Sequence, residues 1–253
     1  MSLADLAVDS HLPEAAIRER SREIERHLLS ESRCIRAANF TSIHSQDLAL
    51  LFDAYDTRVF EGECRKTLDG RRLRFRLSTR MTHTGGKTTR FRTSSGDVLF
   101  EIAIACGLLF DGFGARDRTV TVCGLECNTR LEALQRIFEH EIVHLIEQLC
   151  WVDSDCAGPR FQTIAGRHFL HREHTHRLIT RNERAASAGI RTGALVEFPF
   201  EGRRLEGRVN RITKRATILV EDALGQPFSD GRRYKTYYVP IALLSPVLTA
   251  PEM

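Results

Sequence analysis

The sequence has no apolar run long enough for a membrane span, since a spanning helix needs about 20 consecutive apolar residues. The longest candidate, Val98 to Phe110, is shorter than that and contains Glu101. The first eleven residues, MSLADLAVDSH, lack the basic start and apolar core of a secretory signal. We therefore expect a cytoplasmic protein with no membrane partner.

The seven cysteines form no C-x-x-C pair, and their odd number cannot close a complete set of disulfides. Without an export signal we expect reduced thiols, most of them packed as small apolar residues. Cys123 and Cys127 could hold a structural zinc, but no second pair lies nearby. Buried thiols are therefore the preferred interpretation of these two residues.

The composition is that of a folded globular chain, with 42% hydrophobic and 28% charged residues among 253. The net charge of +4 is unevenly distributed. Residues 191–246 contain ten Lys or Arg and six Asp or Glu, 10 − 6 = +4, so the rest of the chain is close to neutral. A basic segment suits a polyanionic partner, although solubility explains this charge equally well.

Hydrophobic periodicity predicts helices over Pro13–Ser30 and Gln46–Phe60. Strict alternation from Arg72 to Ser78 then predicts a strand. Thr84-Gly85-Gly86-Lys87 is typical of a turn, so Thr88–Thr93 is expected to return as the partner strand of a hairpin near the substrate cleft.

The next segments predict two further strands, over Leu99–Ala105 and Thr119–Val122. Thr129-x-x-Glu132 is a helix-start signal for a helix that runs to about Trp151. Arg181–Gly189 is interpreted as a linker. After it, short strands separated by glycine turns predict a small antiparallel barrel.

The motif that carries chemistry is His140-Glu141-Ile142-Val143-His144. Residues four apart on a helix stand above one another, so the two imidazoles can bind one metal ion from one face. Glu141 can reach a metal-bound water and act as its general base, while zinc lowers the pKa of that water. We prefer this interpretation to a solvated histidine pair, because a capped and apolar helix surrounds the motif.

A catalytic zinc usually takes a third protein ligand, and the sequence leaves its identity open. The downstream candidates are Asp153, Asp155, Cys156, His168, His171, His174 and His176. The histidine-rich run HFLHREHTH is more often a solvated basic helix end than a ligand cluster.

The helix with HEIVHLIE, a polar loop, and GPRF opening a helix that ends near Thr175-His176 together resemble the SprT-like (Spartan-type) zinc metalloproteases. Tyr55-Asp56, Val59-Phe60 and the segment FRLSTRMTHTGGKTTRF, as a hairpin, fit the same family. The resemblance covers roughly Asp47 to Leu178.

This resemblance implies an α+β fold: a minigluzincin-like metalloprotease domain with the HExxH helix and an antiparallel sheet. It also implies zinc-dependent proteolysis, directed in the best-known members at proteins on DNA. His140 and His144 correspond to metal ligands, and Glu141 to the catalytic glutamate. The family's third histidine is replaced by Ala157.

Cys156 adjoins Ala157, and a thiolate is a good zinc ligand, so we choose Cys156 as the third ligand. His168 and His171 would lie roughly 15 to 20 Å further along a straight helix. His171, another ligand, or no functional third ligand stay open as alternatives.

We expect an N-terminal helical extension over residues 1–40, a SprT-like zincin domain over 41–180 and an SH3-like or KOW-like barrel over 190–248. The barrel takes the place of the zinc ribbon that many relatives carry at this end. Its basic residues are candidates for nucleic-acid binding, with a merely solvated basic face weighed equally. The four chosen are Arg208, Arg211, Lys214 and Arg215.

The first hypothesis is a zinc-dependent endopeptidase that acts on a protein substrate and docks on DNA or protein through the barrel. The alternative is a nucleic-acid-binding adaptor with an inactive zincin fold, which Ala157 favours and the intact Glu141 disfavours. A small-molecule metallohydrolase is a third possibility, which an enclosed pocket would favour. The sequence does not determine the oligomeric state.

Overall fold

The structure is a computed structural model that describes residues 1–113, 118–213 and 215–247. These residues contain eight α-helices and three sheets, and the chain divides into two compact units, Met1–Leu178 and Ile179–Met253. Among the described residues no helix has both the length and the apolar character that crossing a bilayer requires.

The described residues of the first unit form seven helices and six strands. The helices are α1 (Leu3–Asp9), α2 (Glu14–Glu31), α3 (Ser45–Val59), α4 (Glu63–Leu68), α5 (Cys106–Asp111), α6 (Arg130–Cys150) and α7 (Pro159–Phe169). The strands are β1 (Arg72–Leu77), β2 (Gly86–Arg92), β3 (Val98–Ile104), β4 (Val120–Val122), β5 (Leu125–Cys127) and β6 (His176–Arg177).

The helices predicted from periodicity are present as α2, α3 and α6. In α2 the residues at helical spacing, Ile17, Ile24 and Leu28, are all buried. The start of α6 also follows the sequence signal, because the hydroxyl of Thr129 accepts the Glu132 N–H at 3.1 Å. The expected helix extension at the N-terminus is part of the first compact unit.

The predicted hairpin between β1 and β2 is wrong, and so is the expectation of an antiparallel main sheet. The strand order is β1-β3-β2, with β1 parallel and β2 antiparallel to β3. The apolar β3 takes the centre, where Phe100 and Ile102 are fully buried, while β1 alternates arginine with apolar residues and lies at an edge. The loop between β1 and β2 is hydrogen-bonded at both of its ends to the end of β3 and the residue that follows. The Ser78 N–H donates to the Ile104 carbonyl, and the Gly85 carbonyl accepts the Ala105 N–H.

Helix α6 is the central element of the first unit. It packs against β2, β3 and α7, and most of its side chains are buried. A second sheet, of order β5-β4-β6, brings the segment after α7 back to the same region. The HExxH motif therefore lies on a helix that is held between the main sheet and α7.

The second unit contains α8 and a five-stranded antiparallel sheet of order β10-β9-β8-β7-β11. Its elements are α8 (Arg181–Ser187), β7 (Leu195–Phe200), β8 (Arg203–Ile212), β9 (Ala216–Pro227), β10 (Arg233–Val239), a 3-10 helix (Ile241–Leu243) and β11 (Ser245–Pro246). The strand pairs of the described residues form an open order with β10 and β11 at its ends, so closure into an SH3-like barrel stays a prediction.

The linker predicted over Arg181–Gly189 is wrong, because most of it is helix α8. Thr180 caps this helix by accepting the Glu183 N–H at 3.2 Å. Ala185 is fully buried and belongs to the core of the second unit with Val196 and Phe198. Small alanine side chains, which resemble a linker in composition, here allow a short helix to pack closely.

Candidate metal centre

His140 and His144 direct one nitrogen each toward a common point. Their Nε2 atoms are 3.1 Å apart, and their rings meet edge to face. Two nitrogens bound to one tetrahedral zinc at about 2.0 to 2.1 Å would be separated by about 3.3 Å. The pair is therefore already arranged for one metal ion.

Burial keeps both imidazoles neutral, which is the form that binds metal. It lowers the pKa of His140 to about 2, with smaller contributions from His176 and His144. Burial also lowers the pKa of His144, against the opposing charges of Glu147 and Asp155. Phe161 packs on both rings and excludes water from one side of the site.

The two remaining ring nitrogens have different neighbours. Nδ1 of His144 lies 2.6 Å from the hydroxyl of Ser154, which donates to the Glu147 carboxylate at 2.8 Å. Nδ1 of His140 lies 3.7 Å from the sulfur of Cys123. In each imidazole, Nδ1 therefore makes the outer contact and Nε2 is the nitrogen that could bind a metal ion.

Cys156, the residue chosen as third ligand, does lie beside the histidine pair. The ligand atoms of His140, His144 and Cys156 are all within 4.8 Å of one another. Burial and the charge of Asp155 raise the pKa of the Cys156 thiol, so metal binding there would release a proton. These donors suit zinc, which accepts imidazole nitrogen and thiolate sulfur.

His176 forms a second group with His140 and Cys123, whose ligand atoms are likewise within 4.8 Å. Its ring is 4.7 Å from that of His140, and its buried Nε2 has no hydrogen-bond partner among the residues that the structure describes. Burial lowers the pKa of His176 to about 4. A buried ring nitrogen without a hydrogen-bond partner is available to a metal ion, so His176 is the competing third ligand.

The other histidine candidates lie elsewhere, with the exception of His174, which lines the cleft. His168 is buried and donates from Nε2 to the Ala7 carbonyl at 3.1 Å. His171 is buried too, and its Nε2 donates to the Glu139 carboxylate at 3.0 Å. Both imidazoles therefore form hydrogen bonds in the buried interior of the first unit.

The aspartate candidates have other partners in the loop after α6. Asp153 pairs with Arg160, and Asp155 accepts the Ala157 N–H at 2.9 Å. Ala157 itself is exposed and offers only a methyl group, so this position provides no side-chain ligand for a metal.

Glu141 is buried beside the histidine pair, with 2% of its surface exposed. The hydroxyl of Thr88 donates to its Oε2 at 2.8 Å. Burial raises the pKa of Glu141 to about 8, although the hydrogen bonds from Thr88 oppose the rise. A carboxylate made this basic is suited to accepting a proton.

The Gly85-Gly86 pair provides room for two site side chains. A Cβ on residue 85 would fall 2.7 Å from Nδ1 of His176, and one on residue 86 would fall 2.5 Å from Oε1 of Glu141. Gly86 also begins β2 and lines the cleft, as do Thr84 and Lys87, so the expectation that this motif lies near the site agrees with its position.

The cleft around these residues has a volume of about 520 Å³ and is bordered by the start of β2. Its lining includes Lys87 and Thr88 on one side and His140, Glu141 and His144 on the helix side. Among the strands that the structure describes, β2 is an edge strand of the main sheet, so the cleft lies next to backbone groups that no described strand pairs with.

The basic residues chosen for nucleic acid fall into three situations. Arg208 and Arg211 are exposed and line two adjoining cavities of about 770 and 560 Å³ in the second unit. Arg215 is exposed at the turn between β8 and β9, and Lys214 lies outside the described residues. Of the four residues, Arg208 and Arg211 therefore line cavities that adjoin each other.

Sequence reasoning missed several residues of these two places. Arg191 and Thr192 line both cavities of the second unit, Ser154 contacts His144, and Glu147 accepts the Ser154 hydroxyl. Only the spacing of Glu147, three residues after His144, was visible beforehand. No family model, curated protein or solved structure matches this chain.

Proposed function

We propose that this chain is a zinc-dependent endopeptidase of the SprT-like kind. The observation that carries the proposal is the convergence of His140, His144 and Cys156 beside the buried carboxylate of Glu141. Three ligands leave one coordination position for water, as a hydrolytic zinc requires. A purely structural site would not need a carboxylate held at this position.

The reaction divides between the metal and the chain. Zinc, when bound, supplies acidity to a water molecule and polarises the scissile carbonyl. Glu141 is the base that accepts the proton of the attacking water and returns it to the leaving amine. A dication beside it favours its ionised form, which burial alone disfavours. Thr88 orients the carboxylate through the bond to Oε2.

The edge strand supports a peptide as the substrate. The Gly85 carbonyl accepts the Ala105 N–H, and the Thr93 N–H donates to Asp97, so alternate residues of β2 face β3. The backbone groups of Gly86, Thr88 and Arg90 then face outward. An extended peptide can pair with such an edge, which would place its backbone along the cleft.

The second unit supports a polyanion such as DNA as a partner. Arg191, Arg208 and Arg211 line its two cavities together with Asn182 and Asn210. None of these three arginines takes part in an ion pair within the described residues, whereas Arg204 is bound to Glu197. Guanidinium groups that have no carboxylate partner in the described part of the chain, and that stand beside amides, favour phosphate contacts.

Cleavage of a DNA-bound protein tests the proposal. Zinc-loaded wild type is expected to cut the substrate, and Glu141→Gln to bind zinc without cutting, with fragments identified by mass spectrometry. Single-stranded DNA is expected to stimulate cutting. A zinc-loaded wild type that binds DNA but cuts no protein would contradict the peptidase and support the adaptor.

DNA binding has its own control. Arg191→Glu is expected to weaken binding of a labelled oligonucleotide, measured by fluorescence anisotropy at fixed salt, because it reverses a charge in the cavities. Arg204→Glu, a change of equal charge at a paired arginine, should weaken it less. Equal effects of the two variants would contradict a localised site.

A further inference from the structure

Glu147 is a buried carboxylate that joins α6 to the loop after it. It lies three residues after His144, and 1% of its surface is exposed. Its Oε2 accepts the Ser154 hydroxyl at 2.8 Å and the Asp155 N–H at 3.2 Å, and its Oε1 accepts Nε of Arg160 at 2.8 Å. One carboxylate therefore holds both ends of the segment from 154 to 160.

The Ser154 hydroxyl stands between this carboxylate and the metal-site imidazole. Its proton is directed to Glu147, so its oxygen is left to accept a hydrogen bond from Nδ1 of His144 at 2.6 Å. This arrangement places the proton of the neutral imidazole on Nδ1. The lone pair of Nε2 then faces His140, where the metal would bind.

The loop between α6 and α7, which these contacts to Glu147 hold in place, has a strained backbone. Val152 has φ 71°, a left-handed conformation that is rare for a β-branched residue, and its side chain is 61% exposed. Such a conformation persists only where surrounding contacts impose it. Cys156 lies in the same loop, so its distance from the histidine pair depends on the contacts to Glu147.

We propose that Ser154 and Glu147 are positioning residues that assemble the metal centre from helix and loop. Ser154 fixes the tautomer and direction of the His144 imidazole. The Glu147 carboxylate, which accepts the Ser154 hydroxyl, also holds the loop that carries Cys156. This inference rests on the proposed metal centre and is independent of whether the chain cuts peptides. Outer hydrogen-bond partners of this kind change metal affinity by about 10- to 100-fold.

Zinc affinity of the full chain, measured by competition with a chromophoric chelator, tests the proposal. Ser154→Ala is expected to weaken zinc binding by about 10- to 100-fold, and Ser154→Thr, which keeps the hydroxyl, to restore most of it. The absorption spectrum of the Co²⁺-loaded protein should change in Ser154→Ala and return toward wild type in Ser154→Thr.

Ser32→Ala is the matched control, because the Ser32 hydroxyl also donates to a buried carboxylate, that of Asp47, at 2.7 Å. It should lower the unfolding midpoint and leave zinc affinity unchanged. Equal zinc affinity of Ser154→Ala and wild type would overturn the positioning role while leaving the metal centre in place. A wild type that binds no zinc would overturn the metal centre itself.

Discussion

Gly86 lies directly against Glu141, so that a Cβ on residue 86 would fall 2.5 Å from Oε1 of the carboxylate and 2.6 Å from its Cγ. Steric room, rather than a left-handed backbone, explains a glycine at this position. The strand that borders the cleft and the acid on the helix are thus fitted to each other. The Thr88 hydroxyl, two residues along the same strand, completes the contact.

Replacing Gly86 with alanine is therefore expected to displace the base without removing the metal. A shift of about 1 Å in a catalytic group can lower the rate about 100-fold, and we expect a fall in kcat/KM of that order. Gly166→Ala is the control, since its added Cβ meets nothing nearer than 3.6 Å. Zinc content should be unchanged in both variants, and full activity of Gly86→Ala would refute the fit.

The third ligand can be decided by comparing Cys156→Ala with His176→Ala. We expect Cys156→Ala to reduce bound zinc strongly, because Cys156 lies within 4.8 Å of both His140 and His144. His176→Ala should retain more zinc, since His176 groups with Cys123 and His140. Zinc content by elemental analysis after gel filtration is the measurement. The reverse order of the two variants would assign the metal to His176.

The interior behind the site depends on Glu139, which precedes His140. Burial opposes ionisation of this carboxyl, but Arg136 and the hydrogen bonds from His171 and Tyr55 outweigh it and lower its pKa below the usual range. Glu139→Gln would leave the nearly buried Arg136 without its counter-charge. We expect a loss of about 3 kcal/mol or more in the free energy of unfolding, measured with denaturant.

A surface pair of the same spacing provides the comparison. Glu19 and Arg22 are also three residues apart, with 47% and 63% of their side chains exposed. Glu19→Gln should change stability by no more than about 0.5 kcal/mol. Similar losses in the two variants would contradict the role assigned to the buried pair.

Stability of the first unit should fall in mild acid because of His168. Burial lowers the pKa of His168 in the folded chain, although its hydrogen bond to Ala7 opposes the effect. Below the unfolded pKa of about 6.5 the unfolded state binds more protons, so stability decreases as the pH falls. His168→Gln keeps a donor and removes this titration.

We expect the stability lost between pH 7 and pH 5 to be smaller in His168→Gln, by up to about 2 kcal/mol. Denaturant unfolding at a series of pH values measures it. His11→Gln, which removes an exposed imidazole, should follow the wild-type curve. A wild-type slope in His168→Gln would show that other groups cause the acid sensitivity.

Local patterns in the sequence predicted the elements that depend on nearest neighbours. The HExxH spacing placed His140, Glu141 and His144 on one helix, and the Thr129 signal marked where that helix begins. Cys156 lies in the loop that directly follows this helix, and its sulfur is near the two imidazoles, as its short distance along the chain indicated. In each case the relevant contacts lie within a few turns of chain.

Contacts between distant residues explain what could not be predicted. Strand β3 lies between β1 and β2 because it is the most apolar of the three strands. The patterns of β1 and β2 alone do not indicate that a third strand separates them. The His171 imidazole is hydrogen-bonded to the carboxylate of Glu139, which lies 32 residues earlier in the chain. Arg181–Gly189 has the composition of a linker, and only the core around Ala185 makes it a helix.

The measurement that tests the account most directly is the zinc content of the purified chain after loading and removal of free metal. We expect about one zinc per chain in wild type and in Glu141→Gln, and a large loss in His140→Ala, because Nε2 of His140 is needed at the metal and Glu141 is not a ligand. A wild type that retains no zinc, or a His140→Ala variant that retains a full equivalent, would contradict the proposed metal centre.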